Sequence, residues 1–360
     1  MNNKYFFTAL TRISDLPECP FEVCALPREQ WATGDYVVGE VILPLGKRSL
    51  VELTSGRMVE VLQGDLIVGA FGVRRATLEA VGDWQHIDSD GRLEALTEGG
   101  LFGRATSISL LLPPLTSMVY RGHVVRQGQK VCMKDFVLPM PECTYDCPTV
   151  MMLGTSMSSG KTTAARIIIS LLKQAGLKVI GTKLAGAGQY HDILTMRDAG
   201  ADKIFDFVDV GLPSSVCPPE EFRPYLRQLL AAIAAEKPDV VVAEIGASPF
   251  EPYNGAVVLE EMKKQICCTV LCASDPYAVL GATQCFDLTP DLVSGIATST
   301  TAGIELVEKL TGIKALSLSE RESISKLMYI LKEKLSPLFH GSRRRENLWE
   351  NKCFRHAYFD

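Results

Sequence analysis

The sequence predicts an α/β fold in which a parallel sheet flanked by helices follows a smaller β-rich domain. From about residue 148, short apolar runs alternate with amphipathic segments, which is typical of a parallel sheet covered on both faces. Before about residue 140, short β-rich runs alternate with turn residues, which is typical of a small barrel or sandwich. A chain of 360 residues is long enough to form two such domains.

A proline-rich stretch separates the two patterns. Residues 138–148 read Leu-Pro-Met-Pro-Glu-Cys-Thr-Tyr-Asp-Cys-Pro and follow neither hydrophobic period. We therefore expect a β-rich domain at 1–140, a linker at 141–147, an α/β domain at 148–335 and a polar tail at 336–360. Because each region has its own period, a fragment that starts near Glu142 is expected to fold without the β-rich domain.

Composition indicates a folded, water-soluble protein without a nucleic-acid partner. Hydrophobic residues make up 47% of the chain and charged residues 22%, and the net charge of -5 provides no general basic field. The concentrated basic run, Arg343 to Arg345, is interpreted as a solvated face of the tail. The apolar run Ile108 to Tyr120 contains two prolines and is too short to span a membrane, so no membrane partner is expected.

The eleven cysteines do not indicate a disulfide framework. They are odd in number, irregularly spaced and include the adjacent pair Cys267 and Cys268, which favours a reducing cytoplasm. Cys143 and Cys147 have no partner pair of cysteines or histidines at zinc-site spacing, so they are interpreted as structural thiols.

From Asp35 to about Phe136, β-rich runs such as Tyr36 to Leu43 are divided by recurrent glycine–aspartate pairs. These pairs follow no fixed short period, so we interpret them as hairpin turns rather than as a calcium-binding array. They are Gly34-Asp35, Gly64-Asp65, Gly82-Asp83 and Asp90-Gly91.

A glycine-rich loop at 154–163 follows the first apolar strand of the α/β region and precedes an amphipathic helix that Gly176 can end. In this context, backbone N–H groups and the helix dipole bind phosphate oxygens, while a chance serine-rich turn is the alternative. Lys161 is predicted to neutralise the β and γ phosphates of a nucleoside triphosphate, and the Thr162 hydroxyl to bind its Mg²⁺. The predicted phosphate-binding set is Gly154, Thr155, Ser156, Ser158, Ser159, Gly160, Lys161, Thr162 and Thr163.

This loop has five residues between its glycines, and Thr155 stands where the first glycine of the common pattern lies. The form Gly-Thr-x-x-x-x-Gly-Lys-Thr resembles the loop of the dethiobiotin synthetase and cobyrinic acid amidase group. That group belongs to the SIMIBI class, with MinD-like ATPases and metal-insertion GTPases. The resemblance implies ATP, with GTP as the alternative, together with Mg²⁺. Ser156 replaces the additional lysine of MinD and ParA relatives, which disfavours a ParA-type dimer and leaves another homodimer open.

A carboxylate ends a second buried strand, in the run Asp-Val-Val-Val-Ala-Glu-Ile-Gly at 239–246. Glu244 is predicted to bind the Mg²⁺ or one of its waters, and a turn or helix-capping acid is the alternative. The position resembles the Glu-Gly pair of dethiobiotin synthetase and of the molybdopterin-guanine dinucleotide accessory protein MobB, except that Ile245 is inserted here.

Lys183 ends another strand, before a glycine-containing loop that reaches His191 and Asp192. A lysine at this edge faces the crevice where open α/β sheets bind ligands, so it is predicted to orient an anionic substrate or stabilise the transferred phosphoryl group. It resembles the substrate-side lysine of dethiobiotin synthetase. Asp192 is a candidate base or Mg²⁺ ligand. The alternative is a surface lysine and a turn aspartate.

Three further segments extend the comparison with known families. Residues 197–201, Arg-Asp-Ala-Gly-Ala, resemble a MobB segment, although the paired histidines of MobB are absent. Asp275 and Thr298 lie at two more strand ends, where a turn or cap role is the favoured interpretation. The run from Glu244 to Gly255, together with Lys183, also resembles nucleotide-binding proteins related to the DUF1611 family, over the C-terminal half alone.

Together, these features predict an ATP-binding, Mg²⁺-dependent enzyme that transfers a phosphoryl group to a small carboxylate or similar acceptor, in a reaction that can begin a ligation. Lys161, Lys183 and Glu244 are the predicted catalytic residues, and a small-molecule acceptor is the predicted partner. The competing hypothesis is a nucleotide-gated accessory protein or metallochaperone, in which hydrolysis switches a binding surface.

Overall fold

The computed structural model describes residues 5–42, 49–110, 112–246, 248–286 and 289–339 of the chain. Leu43 and the basic run Arg343 to Arg345 lie outside these ranges, as does the part of the predicted tail, 336–360, that follows Phe339. Among the described helices, none combines the length and the apolar character that crossing a membrane requires.

The N-terminal region consists of short strands joined by turns and single helical turns. Strands β1 to β12 span Tyr5–Phe7, Glu22–Cys24, Tyr36–Val41, Ser49–Glu52, Met58–Val61, Leu66–Phe71, Val73–Arg75, Ala80–Asp83, Arg92–Ala95, Leu101–Ile108, Thr116–Arg126 and Gln129–Lys130.

Most of these strands pair in one sheet, in the order β1-β6-β3-β11-β9-β10-β8-β7. An additional pairing of β6 with β10 closes a ring of five strands, β6-β3-β11-β9-β10. The predicted turn glycines Gly34, Gly64 and Gly91 have positive φ, as tight turns require. The turn predicted at Gly82-Asp83 is wrong, because both residues lie in β8 and the Asp83 carboxylate caps the helical turn that follows.

The C-terminal region alternates strands and helices. Strands β13 to β18 span Thr149–Gly154, Val179–Ala185, Lys203–Asp206, Val240–Ile245, Ile266–Cys272 and Leu292–Ser294. Helices α1 to α8 span Lys161–Gln174, Tyr190–Asp198, Pro219–Ala235, Gly255–Glu261, Pro276–Phe286, Thr301–Thr311, Arg321–Lys334 and Ser336–Phe339.

The six strands form a parallel sheet in the order β15-β14-β16-β13-β17-β18, which confirms the predicted parallel α/β fold. Strand β13 pairs with β16 and β17, and β16 also pairs with β14, so the carboxyl ends of these parallel strands lie at the same edge. Met152 is in register with Glu244, and Glu244 with Lys183. The topology therefore brings the phosphate loop and both predicted strand-end charges to one edge of the sheet.

Successive side chains of β13 pack in two different cores, because side chains alternate between the two faces of a strand. Val150 and Met152 pack on one face with apolar residues of α1 and α7. Met151 and Leu153 pack on the other face with residues of α3 and of the N-terminal region.

The N-terminal region therefore contributes directly to a core of the parallel sheet, which we call the shared core. Its Tyr36 is fully buried there, and the Tyr36 hydroxyl donates to the Leu10 carbonyl at 3.1 Å. The region also has a core of its own between its strands. The N-terminal members of the shared core are Leu10, Leu16, Tyr36, Val38, Val68, Ala70, Leu96, Leu101, Val124, Val131 and Met133.

Polar contacts reinforce this junction. Arg12 Nη2 donates to Asp206 Oδ1 at 2.6 Å and to Asp209 Oδ1 at 2.7 Å. Burial raises the pKa of Asp209 to about 6, with Arg12 lowering it and Asp206 raising it further. At Gly99, a Cβ atom would lie 2.5 Å from the Gly188 carbonyl oxygen, so only glycine allows the two regions to approach here.

Candidate functional site

The loop at 154–163 has the strand–loop–helix structure that the sequence predicts. The buried strand β13 ends at Gly154, and α1 begins at Lys161. Gly160 has φ of +103°, and a Cβ atom there would lie 3.1 Å from the Gly295 Cα, so the backbone geometry requires glycine. Gly176 has φ of +79° and follows the end of α1, also as predicted.

Lys161 is buried and crosses its own loop. Its Nζ donates to the Ser156 carbonyl oxygen at 2.8 Å and lies 3.5 Å from Ser159 Oγ. Ser159 Oγ also donates to the Ser156 carbonyl, at 3.0 Å. The lysine charge is thus held inside the curve of the loop, next to the first turn of α1, where a phosphate group is attracted by both.

Thr155, which stands in place of the usual glycine, anchors the loop to the neighbouring strand end. Its N–H donates to the Cys272 carbonyl at 3.1 Å, and its hydroxyl accepts from the Ser274 N–H at 3.1 Å. Gly154 is paired with Cys272 in the sheet. These residues fix the base of the loop, so the unusual threonine has a structural explanation in this fold.

Thr162 and Glu244 meet beside the loop. Thr162 Oγ1 donates to Glu244 Oε2 at 3.2 Å. Glu244 is buried, and this burial raises its pKa above the usual value; Lys161 opposes the rise, Asp192 adds to it and Lys183 opposes it. A buried carboxyl group with a raised pKa gains stability from a nearby cation. Two of the three predicted Mg²⁺ ligands, Thr162 and Glu244, are therefore adjacent, whereas the third, Asp192, is paired with Lys183.

Lys183 is buried near the carboxyl end of β14. Its Nζ donates to the Ala187 carbonyl at 3.1 Å and to the Asp192 carboxylate. Burial alone would lower the pKa of Lys183, but the charges of Asp192 and Glu244 outweigh it and the net shift is upward. Lys183 is therefore a cation held in place by Asp192. The His191 side chain is exposed.

These groups line a single cavity of about 670 Å³ at the carboxyl edge of the sheet. Part of its wall comes from the N-terminal region, which sequence reasoning did not place at the site. Arg74 and Glu79, next to one another on that wall, carry no motif that indicates such a role. The C-terminal lining includes Met157, Ser158, Ser159, Gly160, Lys161, Thr162, Thr163, Lys183, Asp192, Glu244 and Tyr253.

Asp275 and Thr298 have structural partners, in agreement with the favoured interpretation. The Asp275 carboxylate accepts from the N–H groups of Tyr277 and Ala278, both at 2.9 Å, at the start of α5. Thr298 Oγ1 contacts the carbonyl oxygens of Gly295 and Leu316, each at 3.0 Å.

The cysteines of the described ranges are all free thiols. Burial raises the pKa of Cys272, beneath the loop, to about 12, where Lys161 lowers it and Glu244 raises it further. Within the described residues, no group of three His, Cys, Asp or Glu side chains converges as a metal-binding cluster.

A parallel sheet whose central strand leads through a glycine-rich, lysine-containing loop into a helix is the architecture of phosphate-loop (P-loop) proteins. No family model matches the chain, and no curated protein matches it.

Several solved structures are similar to part of the chain. FtsY from Mycoplasma mycoides is 14% identical over 55% of this chain and 70% of its own, with a TM-score of 0.36. Hydrogenase maturation factor HypB from Archaeoglobus fulgidus is 13% identical over 53% and 91%, with a TM-score of 0.36. A DUF1611 family protein from Anabaena variabilis is 14% identical over 59% and 66%, with a TM-score of 0.30. At these scores the likenesses assign no function to this chain.

Proposed function

We propose that this protein is an Mg²⁺-dependent enzyme that transfers the γ-phosphoryl group of ATP to a small carboxylate or similar acceptor. GTP is the alternative donor. The observation that carries the proposal is the contact between Thr162 and Glu244, 3.2 Å apart, beside Lys161 and in the same cavity as Lys183. The residues that we propose to bind phosphate, metal and acceptor thus line one cavity.

The phosphate side consists of the loop and the start of α1. Backbone N–H groups at a helix start and the Lys161 ammonium attract the β and γ phosphates. Because Lys161 already donates to the Ser156 carbonyl, it is oriented along the loop before nucleotide binds. This orientation reduces the reorganisation needed for phosphate binding.

The residues around Thr162 fit a hard divalent cation. Mg²⁺ prefers oxygen ligands, and a hydroxyl and a buried carboxylate are adjacent here. Thr162 would bind the ion, and Glu244 would bind it or one of its waters. When bound, Mg²⁺ neutralises the charge that develops on the phosphate oxygens.

Lys183 would orient the acceptor. Two of its three protons are directed to the Ala187 carbonyl and the Asp192 carboxylate, which leaves one for an anionic oxygen. In the proposed step, an acceptor carboxylate oxygen forms a bond to the γ phosphorus while the bond to the β–γ bridging oxygen breaks. The products are ADP and an acyl phosphate, a species that an amine can attack in a ligation.

A screen of metabolite pools for acceptor-stimulated release of ADP, GDP or phosphate tests this function. We expect stimulation that depends on Mg²⁺ and that Lys161→Ala abolishes, with nucleotide affinity reduced about tenfold or more. Turnover that no small molecule stimulates, but that a protein partner does, would instead support the nucleotide-gated accessory protein. Unchanged binding and hydrolysis in Lys161→Ala would refute the assignment of the loop.

A further inference from the structure

The cavity at the phosphate loop has a second wall, made by the N-terminal region. The C-terminal wall carries Lys161 and Lys183, and the N-terminal wall carries Arg74, Glu79 and Thr97. The volume of about 670 Å³ lies in the range of cavities that enclose small-molecule ligands. The proposed function uses only groups of the C-terminal wall.

Arg74 is a buried cation whose hydrogen-bonding capacity is only partly used. The residue is 5% exposed. Its Nη1 donates to the Leu96 carbonyl and its Nη2 to the Glu79 carboxylate. Its Nε has no hydrogen-bond partner among the described residues, although buried polar atoms are nearly always paired in folded proteins. A guanidinium has five N–H donors, so two hydrogen bonds do not use its full capacity, and Arg74 is one of the residues that line the cavity.

Hydrogen bonds between the N-terminal and C-terminal regions fix the position of the segment that contains Arg74. The backbone N–H of Arg75 donates to the Tyr253 hydroxyl at 3.0 Å. The N–H of Thr77 donates to Glu251 Oε1 at 3.3 Å, and its hydroxyl donates to the same oxygen. Tyr253 and Glu251 follow β16, the strand that carries Glu244. These contacts therefore attach the hairpin of β7 and β8, which carries Arg74, to the segment that follows β16.

We propose that Arg74 binds a carboxylate of the acceptor in this cavity. The planar fork of a guanidinium pairs with a carboxylate through two parallel hydrogen bonds. Glu79 beside it reduces the local positive charge, which suits a carboxylate better than a triphosphate. The triphosphate has its own cradle in the loop, the start of α1 and Lys161. This inference rests on the proposed function and names the residue that selects its substrate.

The test measures binding of acetate, succinate and citrate to the full chain by calorimetry, with Mg²⁺ and a non-hydrolysable ATP analogue present. We expect at least one of these probes to bind the wild type, and Arg74→Gln to weaken that binding about tenfold or more. Arg75→Gln is the matched control, because Arg75 is the adjacent arginine of the same strand and its side chain is exposed. It should leave binding unchanged, and neither variant should change affinity for the ATP analogue.

Three results would overturn the proposal: none of the probes binds the wild type, Arg74→Gln binds them like the wild type, or Arg74→Gln loses affinity for the ATP analogue as Lys161→Ala does. If Arg74→Gln does not fold, Arg74→Lys is tested in its place. Lysine keeps the positive charge beside Glu79 but lacks the planar fork of a guanidinium. Undiminished binding of the probes to Arg74→Lys would count against the proposal. Probe binding through Arg74 without stimulated ADP release would leave this subsite standing and refute phosphoryl transfer to these acceptors.

Discussion

The two regions of the molecule are assembled in different ways and contribute differently to the site. The C-terminal region is a parallel sheet in which one strand leads directly into the phosphate loop. The N-terminal region is built mostly from antiparallel pairs and carries no phosphate-binding loop among its described residues. Yet it supplies part of the shared core and one wall of the cavity. The comparison shows that the glycine-rich loop and its lysine belong to one region, whereas the wall of the cavity belongs to both.

The largest expected effect comes from removing the N-terminal region. A fragment that starts at Glu142 loses the N-terminal half of the shared core, and each large apolar side chain left exposed costs about 1.5–3 kcal/mol. Because domains are stable by about 5–15 kcal/mol, we expect the fragment to be unfolded or aggregated. Circular dichroism and thermal unfolding check this. A cooperative, ATP-binding fragment would support the separable domains that the hydrophobic periods predict.

The next largest effect is expected at the ion pair between the regions. Arg12→Ala leaves the buried Asp206 without its cation, which should lower the free energy of unfolding by about 3 kcal/mol or more. Denaturant unfolding measures it. Arg126→Ala is the control, since its pair with Asp15 lies within the N-terminal region and is partly exposed, so about 1 kcal/mol or less is expected. Equal losses would show that Arg12 has no special role at the junction.

A smaller effect is expected from Glu244→Gln, which changes the site in the C-terminal region. It keeps the side chain's shape but removes the charge next to Thr162, so Mg²⁺-dependent turnover should fall about tenfold or more, or about 1.4 kcal/mol. Nucleotide binding without Mg²⁺ should change little. Steady-state kinetics and a fluorescent-nucleotide titration measure the two effects. A parallel loss of both would indicate that Glu244 is structural.

The smallest effect at neutral pH is expected at Glu52 of β4. Its carboxylate accepts the N–H groups of Tyr190, at 2.8 Å, and His191 at the start of α2. Burial raises the pKa of Glu52 to about 7, although those two hydrogen bonds lower it. The folded state therefore holds a proton that the unfolded chain releases near pH 4.5, so this group makes stability fall as pH rises from about 4.5 to about 7.

Glu52→Gln should flatten that fall in thermal unfolding measured across the same pH range. The change at pH 7 itself should be small, because relief of the buried charge offsets the weaker hydrogen bonds to α2. The exposed Glu305 on α6 offers a control, and its replacement by glutamine should preserve the slope. A slope that Glu52→Gln leaves as steep as in the wild type would assign the pH dependence to other groups of the junction, such as Asp209.

The parts of the site that the sequence predicted are those built from neighbouring residues. The phosphate loop could be recognised because strand, glycines, lysine and helix follow one another within about two dozen residues. Glu244 and Lys183 could be predicted at the same edge because the carboxyl ends of parallel strands meet there.

The parts that were missed depend on contacts between residues distant in the chain. Arg74 looks like an ordinary arginine in a short strand, and nothing near it in the sequence indicates that it faces the loop. Likewise, the period of β13 predicts that both faces are buried but does not say that one of them faces a core that N-terminal residues such as Tyr36 also join. The pairing of Lys183 with Asp192, rather than with solvent, is also a product of burial.

The sequence by itself therefore determined the parallel α/β region, the phosphate loop and the strand-end charges, because each follows from a short-range pattern of side chains and backbone geometry. The tertiary structure alone decided that the β-rich region shares a core with the sheet and adds Arg74 to the wall of the cavity. The physical reason is that apolar burial has no direction and does not specify which surfaces meet. Shape and buried polar contacts, such as those of Arg12 and Glu52, make that choice in the folded chain.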